Sequence, residues 1–158
     1  MVNGFLDPRS ELAAVARTII DSNLYMTLGT ADEAGRPWAT PVYYAPRGYT
    51  EFHWVSAPEA THSRNIAGRP QVGIVIFDSR TPINTGQGVY MSAVAEQLTG
   101  DDLDRGIAIF SRRSQEHGAG EWTPADVLAP ARLRLYRATA SETFVLGARD
   151  ERIPVTLG

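Results

Sequence analysis

EFHWVSAPEATHSRNIAGRPQVGIVIFD, Glu51 to Asp78, decides how the rest of the chain is read. Thr50 to Val55 is rich in aromatic and β-branched residues, and Val72 to Phe77 is a compact apolar run, so both ends read as strands. Between them Pro58 suits a first helical position, Glu59 favours the positive end of a helix dipole, and Gly68 with Pro70 is a stop signal. The unit is strand, short helix, strand. Its connector carries Ser56, Thr61, His62, Ser63, Arg64 and Asn65, a set of hydroxyl, imidazole, guanidinium and amide groups suited to an anion, most naturally a phosphate.

Outward from this unit the pattern is mainly β. Apolar residues at Leu12, Val15, Ala16, Ile19 and Ile20 predict a first helix over Ser10 to Asp21, with Ser10 as its N-cap. Leu24 to Thr30 and Trp38 to Ala45 read as a hairpin around AspGluAlaGlyArgPro, with Pro41 at an edge or irregular position, and the next strand would extend a three-stranded meander. After the loop SRTPINTGQG, Val89 to Leu98 reads as a long strand. Asp101 to Ser114 follows as a helix that Gly106 weakens by about 1 kcal/mol. Thr123, Pro124 and Asp126 open a short helix, Arg132 to Leu146 alternates as a strand, and Ile153 to Thr156 closes the chain. Six or seven short antiparallel strands with three or four peripheral helices predict an α+β, mainly β, domain built on a small closed or nearly closed barrel. A barrel this small is filled by its own side chains, so a large ligand must bind outside it.

Composition narrows the chemistry. The 158 residues are one domain's worth, and the whole span 1–158 is read as a single domain. A net charge of −3 gives no general attraction to nucleic acid or anionic lipid. The N-terminus carries Asp7 and Pro8 and no long apolar segment, so no membrane span is expected and a cytoplasmic location follows. There is no cysteine, and all fifteen basic residues are arginine, which removes thiolate nucleophiles, Cys-held metals and lysine Schiff bases. No metal site is expected. Redox chemistry would have to come from a bound cofactor.

The segments LYMTLGTADEAGRPWATPVYY, FHWVSAPEATHSRNIAGRPQVGIVIFD and GVYMSAVAEQL together resemble the pyridoxamine 5'-phosphate oxidase-like, FMN-binding split β-barrel family, over roughly Leu24 to Leu98. The resemblance implies a homodimer that holds FMN, or in some branches a deazaflavin or haem, in a groove between subunits. It would set Thr40, Pro41 and Val42 beside the isoalloxazine ring and Trp54 and Ser56 beside the ribityl phosphate. Thr61 and His62, followed by Ser63 and Arg64, would fall where the family grips phosphate. Gln87, flanked by Gly86 and Gly88, is a turn residue or an amide close to the flavin edge, and Trp122 is a candidate to cross from the partner. Where many relatives have lysine this chain has His62, a cation that switches near pH ~6.5. Arg64 has Glu59 as an alternative partner, His53 points to the sheet face opposite Trp54, and His117 has no partner visible in sequence. The segments with which true vitamin B6 oxidases hold their substrate are missing, so oxidation of pyridoxamine phosphate is not expected. The reading is an FMN-dependent oxidoreductase acting on a small molecule, with a deazaflavin-dependent reductase or a non-catalytic flavin or haem carrier or sensor as the alternatives.

Overall fold

The computed structural model describes residues 7–158. Helix α1, Pro8–Ser22, starts earlier than expected: the Asp7 carboxylate accepts from the Arg9 N–H (3.1 Å) and Pro8 takes the first helical position, so Asp7, not Ser10, is the cap. Its face of Ala13, Ala16 and Ile20 packs on the sheet. Strands β1, Tyr25–Ala31, and β2, Pro37–Tyr43, form the expected hairpin. Asp32 closes it, accepting from the N–H groups of Ala34 and Arg36 (both 2.9 Å), while Gly35 takes φ +82°.

Beyond the hairpin the meander fails. Instead of one strand through Ala45, the chain breaks at Tyr44 and resumes as β3, Ala45–Arg47, which turns into β4, Glu51–Ser56. β4 pairs with β3 on one side and with β7, Arg134–Leu146, on the other, never with β2. With β5, Gln71–Phe77, and β6, Gly88–Gln97, the sheet order is β2-β1-β5-β6-β7-β4-β3, and short β8, Arg152–Pro154, hangs on β7. The two margins, β2 and β3, are consecutive in sequence. The chain itself therefore draws the antiparallel sheet into a curled half-barrel, and no ladder closes it among the described residues. Tyr44 is the pivot, fully buried with its hydroxyl donating to the Ile20 carbonyl (2.6 Å).

The barrel interior holds Met26, Leu28, Phe52, Trp54, Ile74, Ile76, Val89 and Val145, all at most 1 % exposed. A second core lies outside the barrel, where α3, Gly100–Glu116, covers β3, β4 and β7 with Leu103, Ile107 and Phe110 over Leu98 and Leu135. Gly106 is not a weak point there. A Cβ at that position would stand 2.9–3.0 Å from Leu98, His53 and Leu135, so the glycine lets α3 settle against the sheet. Among the described residues no helix covers the outer face of the flank made by β1, β5 and β6, where Tyr25, Phe77 and Val94 lie 46–60 % exposed. Among the described residues no helix is long and apolar enough to cross a membrane, and no group of three His, Asp or Glu side chains could hold a metal.

Candidate functional site

Helix α2, Thr61–Gly68, links β4 to β5 as expected but begins three residues late. Pro58 and Glu59 form a turn, closed by the Ala60 N–H on the Ala57 carbonyl (3.1 Å). The cap residue is Ala60, whose methyl offers no oxygen to the helix. The N–H groups of Thr61, His62 and Ser63 accordingly meet no acceptor among the described residues; the first capped donor is that of Arg64, on the Ala60 carbonyl (3.0 Å). These groups also carry the positive end of the helix dipole.

Polar side chains are buried around this end. The Ser63 hydroxyl is sealed from solvent (residue 3 % exposed) and has no hydrogen-bond partner. Beside it a 370 Å³ cavity is bounded by Pro58, Ala95, Gln97 and Tyr136. His62 is not the exposed cation that sequence suggests. It is buried, its Nε2 lies 2.8 Å from Ser56 Oγ, and burial lowers its pKa, which leaves the imidazole neutral at pH 7. Ser56 and His62 are thus brought together next to the uncapped turn, with Thr61 exposed at its mouth. An uncapped helix start with a stranded hydroxyl fits a phosphate: it offers donors that now lack acceptors, in a field that favours negative charge.

Other expected residues stand elsewhere. Arg64 is exposed, its Nε donating to the Glu59 carbonyl (2.8 Å), and it lines both the Ser63 cavity and a depression toward the β1–β2 turn with Asp32 and Arg36. Asn65 is spent on the fold, donating to Thr30 Oγ1 (3.0 Å) and tying α2 to β1. Trp54 is 0 % exposed and stacked on Tyr136 (5.6 Å, 15°), so no face of its ring is left for a ribityl phosphate. Gln87 is likewise committed: its amide donates to the Leu146 carbonyl (2.9 Å) and accepts from the N–H groups of Leu146 and Gly88 (both 2.8 Å), imitating a strand and not reaching for a flavin edge. Along β2, Val42 turns into the core, Thr40 is half-buried and Pro41 is exposed on the outer face. Trp122 packs edge-on against Phe110 of its own chain (5.5 Å).

Sequence reasoning missed one polar pair altogether. His53 lies under α3, fully buried, with Nδ1 3.2 Å from the Ala45 carbonyl and its pKa lowered first by burial. His117, by contrast, is exposed, and its Nδ1 lies 2.7 Å from the Tyr43 hydroxyl. The two partners are 74 residues apart, and no local pattern signals such a contact.

Comparison with known proteins places this geometry. The sequence profile of the family described as Pyridoxamine 5'-phosphate oxidase matches residues 12–146. No curated protein matches the chain. Among solved structures, a heme binding protein from Mycobacterium smegmatis superposes with TM-score 0.70 at 22% identity, over 96% of this chain and 59% of that one. HutZ, the heme storage protein from Vibrio cholerae, superposes with TM-score 0.67 at 20% identity, over 85% and 94%. An F420 reductase does so with TM-score 0.60 at 16%, over 81% and 94%. At such identities the likeness is one of fold alone, and this chain spans 59% of the mycobacterial protein's length.

Proposed function

The chain belongs to the pyridoxamine 5'-phosphate oxidase family, and we propose that it is a flavin-dependent oxidoreductase of that family which holds FMN by its phosphate at the start of α2. One observation carries the reading: in the first turn of α2, behind an alanine cap, three main-chain N–H groups and the Ser63 hydroxyl have no acceptor among the described residues. Ser56 and His62 complete the cradle, and Thr61 and Arg64 stand at its entrance. Two or three charge-assisted hydrogen bonds contribute about 1.5–3 kcal/mol each. Micromolar retention needs about 8 kcal/mol beyond the cost of association, so the ring system must bury apolar area as well. The exposed outer face of β1, β5 and β6 would supply it once a second copy of the chain covers Phe77 and Val94, with Thr40 and Pro41 of β2 nearest the ring. When bound, the flavin supplies hydride or electron transfer; the protein's part is to bind, orient and exclude water.

Titration of the purified protein with FMN, riboflavin and a deazaflavin, followed by visible absorbance, tests this reading. FMN should bind at tens of micromolar or tighter, and riboflavin, lacking the phosphate, should bind at least about tenfold more weakly, a difference of about 1.4 kcal/mol. Equal affinities for the two would remove the cradle from the account. Tighter binding of the deazaflavin would shift the assignment to a deazaflavin-dependent reductase in the same cradle. A haem carrier ranks behind both, because His53 and His62 are buried and committed and only His117 remains as an axial ligand.

A further inference from the structure

We propose that the groove between the C-terminal half of α3 and the start of β1 is a second binding site, for a flat heteroaromatic molecule that is neutral or cationic and carries a hydrogen-bond acceptor. The groove encloses about 690 Å³, within the range of small-molecule sites. Its walls are Tyr25, Tyr43, Phe110 and Trp122, with Val55 and Leu133 between them. These rings meet edge to face: Tyr43 lies at 73° to Tyr25 and 81° to Phe110, and Phe110 at 83° to Trp122. No protein ring stacks flat on any of them among the described residues; Phe110, 4 % exposed, forms the floor, and Tyr25, 60 % exposed, offers the most ring surface to a planar guest.

The polar groups define the guest further. Burial is the main reason the Tyr43 pKa is raised, so the phenol keeps its proton, and its oxygen lies 2.7 Å from His117 Nδ1. With the phenol as the donor of that bond, His117 presents Nε2–H to the groove, which calls for an acceptor on the guest. The carboxylates lining the groove are Glu121 and Asp126, and no arginine lines it. Arg113 stands beside the Tyr43 hydroxyl, where its charge partly offsets that rise, but it does not line the groove: it donates to the Asn23 carbonyl (2.8 Å) and lies over the Tyr44 ring (5.1 Å). An anion is therefore disfavoured. The groove is also distinct from the phosphate cradle, because Val55 faces it while the next residue on β4, Ser56, faces the opposite side and His62.

Three tricyclic probes of one shape test the assignment: acridone, neutral with a carbonyl; proflavine, a cation without one; and 9-anthracenecarboxylate, an anion. Fluorescence titration should show one acridone and one proflavine per chain, and the carboxylate at least about tenfold weaker. His117→Ala, at an exposed position, should weaken acridone about fivefold to tenfold and leave proflavine within about twofold, as expected for loss of one hydrogen bond. Leu133→Trp, which fills the groove without removing an aromatic wall, should abolish both. The proposal is overturned if neither probe binds, if the carboxylate binds as tightly as acridone, or if the two variants, shown to be folded by circular dichroism, bind both probes unchanged.

Discussion

Helices α2 and α3 both follow a strand and both lie against the sheet, yet they bury opposite kinds of surface. α3 buries Leu103, Ile107 and Phe110 and comes close enough to require glycine at 106. α2 buries His62, Ser63 and Asn65 with only Ile66 as an apolar anchor, and starts on an alanine that caps nothing. Burying polar groups costs stability unless each is paired, and the Ser63 hydroxyl is not. The contrast separates a helix kept for packing from one whose stability is compromised in a way that a phosphate would relieve.

The sharpest way to break this contrast is to injure both helices' seats and compare. Leu135→Ala, beneath α3 at 0 % exposure, should cost about 2–5 kcal/mol in chemical denaturation. Ser63→Ala should leave stability unchanged or raise it, since a stranded buried hydroxyl is removed. If the serine variant proved as damaging as the leucine one, α2 would be an ordinary packing helix. Gly106→Ala comes next: the gain of about 1 kcal/mol in helix propensity is outweighed by about 1–3 kcal/mol of overpacking, so the midpoint of unfolding should fall. A rise would mean that α3 is more loosely seated than its distances imply.

On the α2 side, Ser63→Ala and His62→Ala should each weaken FMN about tenfold and leave riboflavin within about twofold in the same titration. Phosphate would also raise the His62 pKa from its lowered value, so FMN affinity should be greater at pH 6 than at pH 8 and be lost as pH rises through the bound-state value; a flat profile would remove the imidazole from the phosphate. The smallest effect concerns the unliganded fold. His53 and His62 both have folded pKa values below the ordinary ~6.5, so below that pH the unfolded chain takes up protons first and stability declines. The lowered carboxylates Asp32, Asp78 and Asp102 lose their contribution only below about pH 4. Melting temperature should thus be lower at pH 5 than at pH 7.5, and the drop should be smaller in His53→Gln.

Most of the strands and all three helices were legible, because apolar spacing is a local signal: β5, β6 and the β1–β2 hairpin lie close to where alternation and turn residues put them. Pairing was not. That β4 leaves β2 for β7 depends on contacts about eighty residues apart in sequence, which no window sees. Helix starts were misread at α1, where Asp7 competes with Ser10 as the cap, and at α2, where the first-turn signal of Pro58 is not used and Ala60, the actual cap position, carries no signal. At the site, sequence supplied an inventory of polar residues but not their directions. Trp54, Gln87 and Asn65 proved to serve the core and the main chain, whereas Ser56, His62 and Ser63 share the start of α2. The pairing of Tyr43 with His117 had no local trace at all.

The open margins of the sheet carry a last consequence. β2 and β3 end the ladder, and β8 hangs on β7 alone; each of the three contains proline, at 37 and 41, at 46, and at 154. Proline cannot donate to an incoming strand, so a half-barrel that leaves its seam unzipped is still guarded against templating fibrils along its own rim.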